Sequence, residues 1–269
     1  MHTPVLLQQA IERLNIKKGG SYIDATFGEG GYSREILRLG GKVLAIDLDE
    51  DQLKSFRVNG LTGLKLIQGN FADIENIAKE KNFYPVDGVV FDLGLSMNQL
   101  DHLGRGFSFK KLEEPLDMRL DPEDEMTARD LVKKSSKEDL YQILARNSEE
   151  LNSRLIADQI KSTRKMNTVG DLIYAIDRAG FKNQSVYARI FQALRIEVNN
   201  EFDNLKKGLV GVVKITKKEG RIVIISFHSL EDRIIKNFVR NNQLKFLEKK
   251  PVRGVRPFER SAKLRTIVI

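Results

Sequence analysis

The stretch YIDATFGEGGYSREIL, residues 22 to 37, decides the fold of this chain. It reads as a short apolar strand that ends at Asp24, a turn that contains Gly28, Gly30 and Gly31, and a helix. This order places backbone N–H groups and the positive end of a helix dipole at the carboxyl edge of a sheet. Glycines in the turn let a ligand approach the main chain without a Cβ in the way. The stretch predicts a ligand site, although glycines also form ordinary turns.

Similar apolar runs recur near both ends of the chain, with helix-like segments between them. The runs are SYIDATFG, KVLAIDLD, LKLIQGN, VDGVVFDLG, GRIVIISFHS and KLRTIVI. The alternation of the first four runs with helices predicts a doubly wound α/β domain with a parallel sheet, and the last two runs are expected to be later strands of the same domain. From about Leu103 to Leu205 the pattern becomes helical, with helix-capping sequences that begin at Thr127, Ser136 and Thr168. We therefore predict a discontinuous α/β domain, residues 1–102 and 206–269, with an inserted all-helical domain, residues 103–205.

The composition narrows the class of protein. The chain has 269 residues, of which 41% are hydrophobic, and no cysteine. It has no apolar run near the ~18 residues of a membrane helix, and its N-terminus lacks the features of a signal peptide. We expect a cytoplasmic protein that does not bind membranes. The lack of cysteine excludes disulfides, thiolate metal sites and cysteine nucleophiles, and we predict no metal site.

The positive charge is concentrated near the C-terminus. The segment from Arg233 to Arg265 contains eleven lysines and arginines and only two glutamates. The remainder of the chain is close to neutral, in a protein of net charge +8. Phe238, Phe246 and Phe258 lie among these basic residues. Such a segment suits a nucleic-acid backbone, in which each neutralised phosphate releases counterions, and it is also typical of a solvated lysine-rich face.

Asp47, at the end of the second run, narrows the choice of ligand. It follows Gly28 by nineteen residues, where an acidic side chain can accept both hydroxyls of an adenosine ribose. Nicotinamide dinucleotides and S-adenosylmethionine share this geometry. The dinucleotide fingerprint requires a glycine at the position of Ser33, and an acid at Asp24 suits a cationic amino-acid-bearing ligand better than a pyrophosphate. We therefore favour S-adenosylmethionine.

Residues after the third and fourth runs extend this prediction. Phe71 could pack against an adenine or belong to the core. Asp92 ends VVFDLG, with Gln99 further along, and could face the ligand or cap a helix.

Longer motifs resemble one family of enzymes. They are HTPVLL, DATFGEGG, LAIDLD, FDLGLSMNQLD, RGFSF, PLDMRLD, FQALRIEVNNE, GRIVIISFHSLEDR and RSAKLR. The sequence resembles the RsmH family, also called MraW, of S-adenosylmethionine-dependent methyltransferases. The resemblance implies a class I Rossmann-like fold with an inserted helical domain. It also implies methylation of the N4 amino group of a cytosine in the decoding region of 16S ribosomal RNA, within the small ribosomal subunit.

The resemblance also implies positions for the cofactor contacts. They fall on Gly30, Gly31, Tyr32, Asp47, Phe71, Asp92 and Gln99, and we add Gly28 from the turn itself. The sequence departs from the family pattern at Tyr32, where histidine is usual, and in NQSVYARIF before FQALRI.

On the substrate side, we expect His228, Ser226 and Asp92 to act at the reacting amino group. Imidazole titrates near neutrality and can accept a proton. Alternatively, Ser229 and Asp232 form a capping box and this segment begins a helix. Both roles can also hold together, with Ser229 as the cap and His228 facing the cleft. His2, in HTPVLL, could close over the site or belong to a frayed terminus.

We expect RNA to be bound by arginines of the insertion and of the C-terminal segment, each of which could instead form a structural salt bridge. They are Arg119, Arg189, Arg195, Arg253, Arg256 and Arg260. Phe107 and Phe109 could stack on a base turned out of its helix, although core packing is the more common role.

Two other functions fit parts of the pattern. One is a nicotinamide-dependent dehydrogenase, against which Ser33 counts. The other is a non-catalytic RNA-binding ribosome assembly factor on a methyltransferase fold. The oligomeric state is open between monomer and homodimer.

Overall fold

The computed structural model describes residues 4–56, 62–95, 104–256 and 259–269. The chain divides into two compact units, one of residues 1–94 and 202–269 and the other of residues 95–201. The first predicted domain boundary, at residues 102 and 103, lies outside the described residues. The second, at residues 205 and 206, falls inside the helix Glu201–Ile215.

The described elements follow the chain in an α/β order at both ends and a helical order in the middle. The strands are β1 Ser21–Asp24, β2 Lys42–Asp47, β3 Leu64–Gln68, β4 Val86–Asp92, β5 Thr216–Ser226, β6 Lys245–Phe246, β7 Val252–Arg253 and β8 Lys263–Val268. The helices are α1 Leu7–Leu14, α2 Gly31–Arg38, α3 Glu50–Ser55, α4 Ile74–Glu80, α5 Ala128–Lys134, α6 Lys137–Ser148, α7 Ser153–Ser162, α8 Val169–Arg178, α9 Gln184–Val198, α10 Glu201–Ile215 and α11 Ser229–Asn241. The predicted strands are confirmed, since each of the six apolar runs contains one.

One sheet organises the α/β unit. Its strand order is β3-β2-β1-β4-β5-β8-β6, with β7 paired to β8. The first five strands of this order are parallel, which confirms the parallel sheet predicted from the first four runs, whereas β8 runs antiparallel to β5. The order reverses between β1 and β4, which makes their carboxyl ends the topological switch point where open α/β sheets bind ligands.

The two faces of the sheet carry separate hydrophobic clusters because alternate strand residues point to opposite sides. On one face, Ile23 and Phe91 belong to a cluster that includes residues of α10 and α11. On the other, Tyr22 and Val90 pack with residues of α1 and α2. Burial on both faces explains why the strands read as continuous apolar runs.

The helical unit has its own core, built from α5 to α9. Its helix starts follow the sequence signals: Thr127, Ser136 and Thr168 each form a capping box with the aspartate three residues later. These three predictions are confirmed. Among the helices that the structure describes, none is long and apolar enough to cross a membrane.

Candidate active site

The glycine turn after β1 lies at the switch point, but its three glycines differ in their surroundings. Gly28 has φ +50°, and a Cβ added to it would meet no atom of the described residues within 4 Å. At Gly30, with φ +73°, a Cβ would lie 2.5 Å from the ring of Phe56. At Gly31 it would lie 2.0 Å from Cγ of Pro4. The turn is therefore open to a ligand at Gly28, whereas protein side chains cover the other two.

The backbone of this turn is also committed to internal hydrogen bonds. The N–H of Gly30 donates to the carbonyl of Phe27 across 2.8 Å. The N–H of Gly28 donates to Oδ2 of Asp47 across 2.7 Å. Side chains lie where a Cβ of Gly30 would point, and a turn hydrogen bond uses its N–H, so a cofactor contact at Gly30 stays a prediction.

Asp47 links the ends of β1 and β2. Besides the bond from Gly28, its Oδ1 accepts from the N–H of Asp49 across 2.9 Å. Burial raises the pKa of Asp47, and these two backbone donors lower it. Each carboxylate oxygen keeps a second lone pair, and the side chain remains partly exposed. An acceptor beside the open face of Gly28 fits the ribose hydroxyls of an adenosine-bearing ligand.

Asp24 differs from its predicted role. It is fully buried, and its Oδ2 accepts from the hydroxyl of Ser33 at 2.7 Å and from the N–H of Ser33 at 3.2 Å. Burial raises the pKa of Asp24 to about 7, and the bond from Ser33 lowers it. Its Oδ1 has no hydrogen-bond partner among the described residues. A carboxyl without exposure does not reach a ligand's amino group, so Asp24 shapes the turn by holding the start of α2.

Asp92, across the switch point, is partly buried, whereas Asp24 is fully buried. Its Oδ2 lies 2.9 Å from the hydroxyl of Tyr32, and its Oδ1 accepts from the N–H of Gly94 across 3.2 Å. The hydroxyl of Tyr32 also lies 2.5 Å from the carbonyl oxygen of Val5. Burial raises the pKa of Asp92 to about 6, and the negative charge of Glu231 adds to the rise. Asp92 is therefore poised to exchange a proton near neutrality.

Phe71 begins the 3-10 helix Phe71–Asp73 after β3 and is partly buried. Its ring meets Phe91 edge-on, with centroids 5.7 Å apart, and a Cβ at Gly208 would lie 2.9 Å from it. Phe71 thus packs on the core of the α/β unit, and an adenine contact stays a prediction. Two other predicted residues, Gln99 and His2, lie outside the described residues.

The segment after β5 corrects two predictions. Ser226 is fully buried, and its hydroxyl donates to the carbonyl of Lys263 in β8, so it is not placed to contact a substrate. The capping box involves His228 and Glu231, one residue before the predicted pair: Nδ1 of His228 accepts from the N–H of Glu231 across 3.4 Å. The capping alternative therefore explains the position of the imidazole, which caps α11 in this structure.

The other ring nitrogen of His228 has a weaker contact. Nε2 lies 3.2 Å from Oε1 of Glu231, a charged contact only if the imidazole is protonated, and makes no well-aligned hydrogen bond among the described residues. The ring also packs against Phe202, with centroids 5.8 Å apart. A catalytic role for His228 stays a prediction.

The three predicted arginines of the helical unit pair with carboxylates. Arg119 forms a bidentate pair with Asp117. Arg189 pairs with the buried Glu150, and Arg195 pairs with Glu201. The salt-bridge alternative explains these contacts, and RNA binding by these three arginines stays a prediction.

The three predicted C-terminal arginines, Arg253, Arg256 and Arg260, are exposed. They lie on β7 and in the loop before β8, and remain candidates for phosphate contacts. Phe107 and Phe109 belong to the hydrophobic core of the helical unit, where Phe109 packs against Tyr187 and Phe191.

Two glutamates near the site were missed. Glu231 is buried and accepts from the N–H groups of Phe227 and His228. Its negative charge raises the pKa of Asp92. Glu259 is buried and accepts from the N–H of Leu6 across 3.0 Å. The EDR of SFHSLEDR carried a signal for the first, since a glutamate three residues after the N-cap is typical of a capping box. Glu259 bonds to Leu6, which lies 253 positions away in the sequence, and no local pattern reveals such a contact.

Comparison with known proteins finds related sequences along nearly the whole chain. Curated relatives named ribosomal RNA small subunit methyltransferase H include one from Carboxydothermus hydrogenoformans, 41% identical over 90% of this chain and 81% of the relative. Another, from Thermosipho africanus, is 36% identical over 98% of this chain and 96% of the relative. A family model described as the MraW methylase family matches residues 1–267, nearly the whole length. Together with the glycine turn and the acids at the switch point, this match shows that the chain belongs to the MraW methylase family.

Proposed function

We propose that this protein transfers a methyl group from S-adenosylmethionine to the exocyclic N4 amino group of a cytosine in 16S ribosomal RNA. The observation that carries the proposal is the placement of Asp47 beside the open face of Gly28, with Asp92 across the switch point. In a chain of a methylase family, this pair of acids fits a cofactor that carries both an adenosine and a reactive methyl group.

The residues divide into two groups in this proposal. Asp47 would accept hydrogen bonds from the ribose, and Gly28 would allow close approach, while Phe71, Tyr32 and Gln99 remain proposed neighbours of the cofactor. The bound cofactor supplies a methyl group that its sulfonium already activates. The chain must hold the acceptor nitrogen in line with that group, and good alignment contributes up to ~7–11 kcal/mol to lowering a barrier.

Asp92 is the proposed acceptor for the amino hydrogen. A cytosine amino group is a weak nucleophile because its lone pair is delocalised into the ring. A carboxylate that accepts one N–H hydrogen bond favours a pyramidal nitrogen and then takes the proton released when the N–C bond forms. The carbon-5 position of the ring is disfavoured as the target, because its methylation ordinarily requires a cysteine nucleophile and the chain has none.

The RNA is proposed to contact the exposed Arg253, Arg256 and Arg260. We propose that the substrate is met within the small ribosomal subunit, in the cytoplasm, and that the helical unit takes part in recognising it. The names of the relatives support ribosomal RNA as the substrate class.

The decisive experiment is methyl transfer from isotope-labelled S-adenosylmethionine to unmodified small subunits and to naked 16S RNA. The RNA is digested to nucleosides, which are identified by mass. Label on the amino group of cytosine is the expected result. With the variant Asp47→Ala as a cofactor-site control, the RNA should take up little label. Label at another nucleoside would overturn the proposed target. RNA binding without any transfer would favour the assembly-factor alternative.

A further inference from the structure

The hydroxyl of Tyr32 lies between two hydrogen-bond acceptors. One is Oδ2 of Asp92, at 2.9 Å, and the other is the carbonyl oxygen of Val5, at 2.5 Å. A phenol carries one proton and can donate to one acceptor at a time. Burial, followed by the charge of Asp92, raises the pKa of Tyr32, so the hydroxyl keeps its proton across the neutral range. Both contacts are hydrogen bonds only when the Asp92 carboxyl supplies a second proton.

Two arrangements follow from this count of protons. With Asp92 ionised, Tyr32 donates to Asp92 and the carbonyl of Val5 loses its donor. With Asp92 protonated, Asp92 donates to the oxygen of Tyr32, and Tyr32 donates to Val5. The hydrogen bond to Val5 is therefore present in one protonation state of Asp92 and absent in the other.

Val5 lies in a segment that is fixed on both sides. Pro4 packs on Gly31, which has no room for a Cβ. On the other side, the N–H of Leu6 donates to the buried carboxylate of Glu259, which also accepts from the N–H of Arg256. The segment 4–6 thus connects the turn at the start of α2 to the loop that carries the exposed arginines.

We propose that Tyr32 is a positioning residue that keeps Asp92 in its carboxylate form before methyl transfer and signals the arrival of a proton there to segment 4–6. This inference rests on the proposed function. In the transfer, the methyl carbon leaves sulfur with the electron pair staying on sulfur, the N–C bond forms, and the amino proton moves to Asp92. The Tyr32 hydroxyl then turns to Val5, and the proton returns to solvent when the product leaves.

The surroundings of this pair favour such a response. Within the part of the chain that the structure describes, the charged groups that act most on Asp92 and Tyr32 are the carboxyls of Asp24, Glu231 and Glu259. All are acidic, and together with burial they favour a protonated Asp92. The hydrogen bond from Tyr32 opposes them and lowers the pKa of Asp92. Without the hydroxyl, Asp92 should hold its proton to a higher pH.

The test compares the wild-type protein with Tyr32→Phe and a matched control, Tyr22→Phe. The hydroxyl of Tyr22 accepts from the N–H of Lys17, so the control also removes one buried phenol hydroxyl from the α/β unit. The titration of Asp92 is followed by carboxyl-carbon NMR in the protein without cofactor or RNA. Amide hydrogen exchange of Leu6 and Leu7, corrected for intrinsic rates, is measured over the same pH range.

We expect Tyr32→Phe to raise the titration midpoint of Asp92 by about one pH unit, while Tyr22→Phe leaves it unchanged. In the wild type, protection of Leu6 and Leu7 should increase as pH falls through that midpoint. In Tyr32→Phe this pH dependence should be absent. An unchanged midpoint, or an equal shift in both variants, would overturn the proposal.

Both measurements are independent of methyl transfer, so the two proposals can fail separately. An active enzyme without the titration shift would remove only the role of Tyr32. A clear shift in a protein that transfers no methyl would show that the proton-linked contact exists but does not serve the proposed reaction.

Discussion

The hydroxyl of Ser33 donates to the fully buried carboxylate of Asp24 across 2.7 Å, and this bond joins the end of β1 to the first turn of α2. A dinucleotide-binding turn would have glycine in place of Ser33. Here the serine donates to one oxygen, Oδ2, of an acid that has no access to solvent. The departure from the dinucleotide fingerprint is therefore a structural requirement of the neighbouring residue as well as a sign of a different ligand.

Ser33→Gly should destabilise the protein more than Ser33→Ala. Both remove the hydroxyl, and a lost hydrogen bond to a charged or titrating buried group costs about 1.5–3 kcal/mol. Glycine adds up to about 1 kcal/mol through its poor helix propensity. Urea denaturation of the three proteins measures the difference. Equal stability of Ser33→Ala and wild type would mean that Asp24 does not depend on this bond.

Asp24 should make the stability of the protein fall as pH rises through neutrality. Its pKa is raised to about 7, so the folded chain holds a proton that the unfolded chain releases above about pH 4. The contribution of this group to the free energy of unfolding is complete below the unfolded pKa and is lost as pH rises through 7. Asp24→Asn removes the titration, and its unfolding free energy should decline less between pH 5 and 8.

A suitable control for this measurement is Asp87→Asn. Burial alone would raise the pKa of Asp87, but Lys217 and the N–H of Ser21 lower it overall. A lowered pKa contributes stability that is lost only as pH falls below the normal range of a carboxyl. This variant should therefore keep the wild-type slope between pH 5 and 8. If Asp24→Asn also keeps that slope, the proton is not on Asp24.

The sequence predicted the parts of this fold that depend on local patterns. Apolar runs gave the strands, and Thr127, Ser136 and Thr168 gave helix starts, because a capping box is a contact over three residues. The direction of the last strand, β8, was not predicted. Nothing in KLRTIVI distinguishes an antiparallel neighbour of β5 from a parallel one, since the direction depends on how the preceding loop returns to the sheet.

The candidate site was predicted less completely for the same reason. Asp47 and Asp92 end strands, and their place at the sheet edge follows from the α/β pattern. The burial of Ser226 and the bond from Leu6 to Glu259 depend on residues distant in sequence. An arginine also has no local sign of its partner, so the sequence left Arg195 open between RNA binding and a salt bridge, and only the structure shows its pairing with Glu201.

Asp47→Ala should weaken binding of S-adenosylmethionine strongly, whereas His228→Ala should leave it nearly unchanged. The first removes the ribose acceptor and also the bond that holds Gly28. Loss of hydrogen bonds to a charged acceptor corresponds to an affinity loss of ~10–100-fold. Calorimetric titration of the cofactor measures both variants. Equal losses of affinity would contradict the assignment of Asp47 to the cofactor and His228 to the substrate side.

Arg253→Ala should weaken RNA binding without reducing stability. Arg195→Ala should reduce stability without weakening RNA binding. Arg253 is exposed on β7, so its removal should leave the free energy of unfolding within about 0.5 kcal/mol of the wild type. If it neutralises one phosphate, the slope of log affinity against log salt concentration should fall by roughly 0.7–0.9. Arg195 is largely buried in its pair with Glu201, and its loss leaves a carboxylate without its partner. RNA titrations between 50 and 200 mM salt, with thermal unfolding of each variant, separate the two effects. An unchanged slope for Arg253→Ala would place the RNA elsewhere, because an exposed cation that contacts a phosphate must release counterions when that contact forms.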